Sequence, residues 1–164
     1  MVVNVVFCCT GNTCRSPMAE GILKDLMSKY LSHVPDGEII VSSAGICAKE
    51  GDPINPHSIT CLSKHNISHS EMSSTQLTRS IVDSADYVLC MTESHLGNAE
   101  RMRSSSYTKT QVRLLGSFGE GVQAETIPDP YGEDLETYEK TFEKLRFHSR
   151  KFMDSVLLRL YPPI

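Results

Sequence analysis

Residues Val2 to Phe7 form an apolar, largely β-branched run that leads directly into Cys8-Cys9-Thr10-Gly11-Asn12-Thr13-Cys14-Arg15-Ser16-Pro17. The run reads as a buried strand. Ser16-Pro17 reads as a helix start, with Ser16 as N-cap and Pro17 in the first turn, where a missing N–H deprives no partner. Strand, short loop and helix must therefore follow one another. Gly11 and Asn12 are residue types that turn a chain tightly enough for successive amides to converge, here at the positive end of a helix dipole. A loop of this kind, Thr10 through Arg15, suits a tetrahedral anion, and Arg15 adds a fork of donors for two phosphate oxygens. The same forces lower a thiol pKa from about 8.5 into the range of about 3.5 to 7.5. Cys9 is thus a candidate nucleophile facing a bound phosphoryl group. A Cys and an Arg six positions apart would alone suggest only a buried thiol near a surface cation. The pattern gains its specificity because the strand before it, the Gly and Asn within it and the Ser-Pro after it all agree.

The 164 residues predict one domain, 1–164, with a single well-buried core. A net charge of −4 and a pI near 5.8 argue against a nucleic-acid surface, so any attraction for phosphate is confined to the loop. There is no basic leader and no apolar stretch long enough to cross a bilayer, which predicts a soluble, cytoplasmic protein without a membrane partner. The six cysteines predict reduced thiols in a chain of this kind. Cys8, Cys61 and Cys90 lie in apolar runs and read as small buried hydrophobes, while Cys47 has no assigned role.

Along the chain, Pro17 to about Leu31 reads as a helix, with Ala19, Ile22, Leu23, Leu26, Met27 and Tyr30 on one face. Pro35-Asp36-Gly37 turns the chain into a short β-rich run, Glu38 to Val41. A helix over Pro56 to His65 and a polar loop over Ser68 to Thr75 follow. Asp86 to Met91 reads as a strand, Glu93 to Met102 as a helix and Val112 to Leu115 as another strand. Gly116, Gly119 and Gly121 are too loosely spaced for a dinucleotide fingerprint. Leu135, Tyr138, Phe142, Leu145, Phe152, Val156 and Leu160 predict one amphipathic helix running to the end. Strands alternating with helices predict a three-layer α/β fold whose parallel sheet is covered on both faces, with a site at the carboxyl ends of the strands, where Cys9 falls.

A thiolate that displaces a phosphoryl group needs a proton donor for the departing atom. Asp129 is the candidate, held between Pro128 and Pro130 on a stiff loop. Taken alone, the segment reads first as an ordinary Asp-Pro turn, since Asp and Pro are common turn residues.

CTGNTCRSPMAE at 9–20, SAG at 43–45, ADYVLCMTESHL at 85–96 and DPYG at 129–132 together resemble the low-molecular-weight protein tyrosine phosphatase family, in order and in spacing. The resemblance implies a four-stranded parallel sheet flanked by helices, with the phosphate loop between the first strand and first helix. It also implies phosphorylated proteins or peptides as partners, and no metal or other cofactor. By the same resemblance, Cys9 attacks phosphorus to form a phosphocysteine, Arg15 and the loop amides hold the transferring group, and Asp129 protonates the leaving atom and then activates water. Asn12, Ser16 and Ser43 map onto the family's loop-supporting residues. Two positions depart from the family pattern. Met72 stands where a His commonly bonds the loop Asn, leaving His69 as the alternative partner, and Gly132 replaces a second aromatic after Tyr131. Thr13 is typical of a branch resembling protein-arginine phosphatases, whereas Tyr131 suits stacking on a phosphotyrosine ring. Both therefore belong to the expected substrate pocket. Cys14 is a redox candidate, positioned to form a reversible disulfide with Cys9.

Other readings compete. A phosphocysteine carrier or a phosphoprotein-binding module would need the loop without the acid. An arsenate reductase would need a second redox cysteine pair, and near Cys90 the sequence offers none. His57, Cys61 and His65 recur at four-residue intervals, a spacing that could present three metal ligands on one helix face, although zinc sites usually draw on more than one element. Asn66-Ile67-Ser68 matches a glycosylation sequon but reads as a loop.

Overall fold

The computed structural model describes residues 1–105 and 107–164. Strands β1 (Val3–Cys9), β2 (Ile39–Gly45), β3 (Tyr87–Cys90) and β4 (Gln111–Leu114) form one sheet in the order β2-β1-β3-β4, every pair parallel. Helices α1 (Arg15–Tyr30), α2 (Pro56–Lys64), α3 (Arg79–Ser84), α4 (Glu93–Met102) and α5 (Leu135–Phe152) cover it, making the expected three layers. The period of two along β1 explains why its sequence is apolar throughout. Val3, Val5, Phe7 and Cys9 join the core under α1, α2 and α5, while Val6 and Cys8 join a second core under α3 and α4. Cys9, last of the odd-numbered set, therefore emerges on the α1 side, where the loop begins.

Several elements differ from their predicted form. Helix α1 starts at Arg15 with Cys14 as its cap residue and no side-chain capping bond, so Ser16 lies inside the first turn and does not cap it. Its hydroxyl is drawn to Asn12 and Cys9 instead. Strand β2 does not end at Val41. Register pairs Phe7–Ser43, Cys8–Ala44 and Cys9–Gly45 carry it four residues further, through residues of weak β preference. The six-residue α3, capped by the Thr78 hydroxyl, was not anticipated, being too short to show a period. Tyr30 is 44% exposed and lies outside the core, its ring under the Arg150 guanidinium. The carboxyl-terminal helix is not continuous: a π turn at Met153–Leu157 separates α5 from the short α6 (Leu158–Leu160). The wider turn rotates the apolar face, so Phe152, Met153 and Leu157 are buried while Val156 is half-buried and Leu160 exposed.

Two loops bring distant chain to the carboxyl end of the sheet. Gly116 packs so tightly on the returning strand of loop that a Cβ would lie 2.1 Å from the Glu125 carbonyl oxygen. Two residues on, the Ile127 N–H donates to the Met91 carbonyl at 2.8 Å, anchoring the segment that carries Asp129 just beyond β3. Asn66 adopts φ 57° just past the end of α2, where Ile67 N–H bonds back to Leu62 O, so the sequon residue is a helix stop.

Candidate active site

The loop between β1 and α1 has its carbonyls turned outward. The Cys9 and Thr10 carbonyls accept from Ile46 and Cys47 N–H at 2.9 Å each, that of Thr13 from Asn55 N–H at 2.8 Å, and that of Cys14 from the Ser58 hydroxyl at 3.3 Å. A peptide's N–H points opposite its carbonyl, so the amides of Thr10, Gly11, Cys14 and Arg15 face the enclosed side. Among the described residues, the amides of Gly11, Asn12, Thr13 and Cys14 donate to no protein acceptor. Asn12, at φ 55°, makes the left-handed turn that closes this ring. Gly45 leaves room for it: a Cβ there would sit 2.5 Å from Thr10 O and 2.8 Å from Asn12 N.

Asn12 is buried and its side chain is fully used. Its amide donates to Ser16 Oγ at 2.8 Å and Ser43 Oγ at 2.9 Å, and its Oδ1 accepts from Thr75 N–H at 2.8 Å. The Thr75 amide thus supplies the support expected from a His. Met72 is half-buried against the core, and His69 is not a partner either, lying 3.1 Å from Ser63 Oγ. Because Ser16 Oγ accepts from Asn12, its own hydrogen is free for Cys9 Sγ, 2.9 Å away, and Ser43 passes its hydrogen to Glu20 Oε1 at 2.7 Å. The sulfur of Cys9 therefore lies under a hydroxyl donor.

Arg15 is 2% exposed. Its Nη1 donates to Ile127 O at 2.9 Å, fixing the fork, and its Nη2 lies 3.5 Å from Thr10 Oγ1 and 3.6 Å from Asp129 Oδ2. Among the described residues its buried Nε has no partner, a donor that a bound anion would satisfy. Asp129 is both a turn residue and a site residue. Oδ1 accepts from Tyr131 N–H at 3.1 Å while Oδ2 faces Arg15, and the carboxyl is about half exposed (49%). These groups, with Gly11, Thr13, Cys14 and the exposed Tyr131, line a cavity of about 210 Å³. The predicted catalytic, phosphate-binding and pocket residues border it with the exception of Asn12, which lies just behind with Ser16 and Ser43. Grooves of about 390 and 520 Å³ beside α5 are larger; the first holds Cys61 with Lys64 and Lys140, the second Arg146 and Arg150 without a cysteine, and neither joins a thiol to an arginine.

Two residues of this neighbourhood escaped sequence reasoning. His95, 4% exposed, places Nε2 2.9 Å from Thr10 Oγ1, and burial, aided by the Arg15 charge, lowers its pKa to about 4. The signals for it in the sequence were its place three residues after the cap residue Thr92 and its presence in the ADYVLCMTESHL stretch at 85–96. Tyr138, fully buried on α5, sets its hydroxyl 3.3 Å from Cys14 Sγ, and burial raises the pKa of both groups. The His57, Cys61 and His65 triplet does not converge: His57 packs on Tyr138, His65 stacks on Phe142 at 4.3 Å and Cys61 is buried. Among the described residues no three His, Cys, Asp or Glu side chains could hold a metal ion. Contrary to expectation, Cys90 does have a cysteine neighbour. Cys8 faces it across β1 and β3, and a hydrogen bond to Cys90 together with burial drives the Cys8 thiol far upward. Both are fully buried, away from the cavity side of the sheet.

Residues 4–159 match the family model described as low molecular weight phosphotyrosine protein phosphatase. The chain is 33% identical over 147 residues to a protein-arginine-phosphatase of Bacillus subtilis, covering 87% of this chain and 89% of that one. It is 32% identical over 152 residues to the low molecular weight phosphotyrosine protein phosphatase of Rattus norvegicus, covering 92% and 94%. The crystal structure of a low molecular weight protein tyrosine phosphatase from T. tengcongensis superposes with a TM-score of 0.80 at 33% identity, over 94% of this chain and 99% of that one.

Proposed function

Because this chain belongs to the low molecular weight phosphotyrosine protein phosphatase family and is a cysteine-based protein phosphatase, we propose that Cys9, Arg15 and Asp129 carry its chemistry and that phosphotyrosine on proteins is its substrate. The observation that carries the assignment is their convergence on one cavity, the sulfur under the Ser16 hydroxyl and the Asp129 carboxyl 3.6 Å from the Arg15 guanidinium. In the first step the Cys9 thiolate forms a bond to phosphorus as the bond to the phenolic oxygen breaks, and protonated Asp129 gives that oxygen its proton. The inward amides and Arg15 hold the equatorial oxygens, where negative charge is concentrated during transfer. In the second step the Asp129 carboxylate takes a proton from water as the water oxygen bonds to phosphorus and the sulfur departs. The Ser16 hydroxyl stabilises the returning thiolate. Asp129 and Arg15 side by side favour hydrolysis over a carrier or binding role, and a phosphate-release assay on an aryl phosphate separates these classes.

A second reading, phosphoarginine, is favoured by Thr13. Its half-buried side chain borders the cavity shared with Asp129, where a small polar group leaves room for a planar guanidinium. Tyr131, 72% exposed beside the acid, favours a phenyl ring instead. Kinetics on paired phosphotyrosine and phosphoarginine peptides decide between them. Thr13→Ile should shift relative specificity toward phosphotyrosine at least about tenfold, or about 1.4 kcal/mol, if arginine is accommodated here. A wild type that barely cleaves phosphoarginine, with a ratio that Thr13→Ile leaves alone, leaves phosphotyrosine standing. No helix among the described residues is long and apolar enough to cross a membrane. The net charge of −4 favours phosphorylated proteins over nucleic acid as partners of the reaction.

A further inference from the structure

His95 occupies the third position of α4. Its backbone N–H bonds the Thr92 hydroxyl at 3.4 Å, and Thr92 N–H donates to its Nδ1 at 3.2 Å. A neutral imidazole nitrogen that accepts carries no hydrogen, so the ring proton is on Nε2. Nε2 lies 2.9 Å from Thr10 Oγ1 and donates to it, and Arg15 Nη2 approaches the same oxygen at 3.5 Å. With its oxygen engaged by two donors, Thr10 has only its hydroxyl hydrogen left to offer, and Thr10 lines the cavity shared by Cys9, Arg15 and Asp129. Burial and the Arg15 charge keep His95 neutral far below pH 7, with the Asp129 charge opposing them, so this arrangement holds where the enzyme works.

We propose that His95 is a positioning residue: it fixes the Thr10 hydroxyl as a donor to a phosphoryl oxygen in the cavity, adding a side-chain hydrogen bond to those of the loop amides and Arg15. The proposal rests on the assignment of Cys9 and Arg15 as the phosphoryl site. A donor held in place before substrate arrives needs no reorganisation when charge concentrates on that oxygen.

Long-range 1H–15N correlation on the wild-type protein reads the tautomer directly. The Nε2-protonated form is expected, and the Nδ1-protonated form would overturn the proposal. Turnover of para-nitrophenyl phosphate is then compared across variants. His95→Asn retains an acceptor for Thr92 N–H but falls short of Thr10, whereas His95→Gln carries an N–H out to the Nε2 position. His95→Asn and Thr10→Val should each lower kcat about tenfold or more with KM little changed, since the bond matters most in the transition state. The double variant should be no worse than the worse single variant, and His95→Gln should recover most of the rate. An unchanged kcat in His95→Asn, or losses that multiply in the double variant, would refute the coupling. Should His95→Asn fail to fold, Thr10→Ser and Thr10→Val are compared in its place: an active Ser and an impaired Val support the donor, and equal rates overturn it. Cys9→Ser is assayed alongside. Retained activity there removes the site assignment itself, whereas loss there with His95→Asn unaffected removes only the present inference.

Discussion

Asn12 combines two demands that can be separated by substitution. Its backbone sits at φ 55°, and its side chain makes hydrogen bonds to Ser16, Ser43 and the Thr75 amide. Asn12→Ala loses both features. The left-handed conformation destabilises Ala by about 1 kcal/mol. The Thr75 N–H loses its acceptor, at about 1–3 kcal/mol, and two hydroxyls lose a donor, at about 0.5 kcal/mol each since they can rotate toward water. The expected loss is about 3–5 kcal/mol, a large part of the ~5–15 kcal/mol that holds a domain together. Asn12→Gly loses the hydrogen bonds but tolerates the dihedral, so it should be destabilised by about 1 kcal/mol less. Catalysis should respond differently. Both variants release the Ser16 hydroxyl from Asn12, so both should lower kcat to a similar extent. Equilibrium urea unfolding of the two variants, with kcat measured well below their midpoints, tests the separation. Equal stability of the Ala and Gly variants would show that the dihedral carries no strain, and a Gly variant as stable as wild type would refute the network.

Other consequences are as direct. Asp129→Asn should slow hydrolysis of phenyl phosphate more than that of para-nitrophenyl phosphate, whose leaving group needs less protonation, and an equal loss on both would mean that Asp129 orients without donating. Cys14→Ala should recover less activity than wild type after mild peroxide followed by a thiol reductant, because the buried thiol beside Cys9 could no longer form a protective disulfide, and equal recovery removes that role. Burial lowers the His95 pKa from the usual 6.5 to about 4, so the unfolded chain binds the extra proton first. The stability contributed by its neutral form is complete above about pH 6.5 and lost as the pH falls toward 4, so wild type should lose more stability than His95→Gln between pH 7 and 4.5.

What the sequence disclosed was local. A strand, a turn containing Gly and Asn, and a helix start lie within seventeen residues, and each is specified by residues adjacent to it. The flanking prolines single out Asp129, but only the family resemblance lifts it above an ordinary Asp-Pro turn. What it concealed depends on partners far along the chain. Ser16 has the form of an N-cap, yet Asn12 and the sulfur claim its hydroxyl and the helix begins two residues earlier than such a cap would start it, at Arg15. The β-rich run read from sequence stops at Val41 because Ser42, Ser43 and Gly45 have little β preference, and only pairing with β1 makes them a strand. The face of the last helix was projected at 3.6 residues per turn, whereas the burial of Phe152 and Leu157 takes a step of five. His95 and Tyr138 reach the loop across 85 and 124 residues. No local period announces such contacts.

These long-range partners explain how a short loop can hold converging amides in place. Parallel N–H dipoles repel, and a free loop would turn some of them to water. Here the outward carbonyls are already committed: those of Cys9 and Thr10 to the chain after β2, that of Thr13 to Asn55 and that of Cys14 to Ser58. Rotating any inward amide would break one of these bonds. Gly45 permits the close approach of β2, and the bond from Arg15 to Ile127 ties the guanidinium to the segment that carries Asp129. A change that loosens β2, the segment after it or the Ile127 segment therefore acts on the phosphate site without touching a ligand. The free energy of preorganisation is supplied by folding, so it need not be drawn from substrate binding.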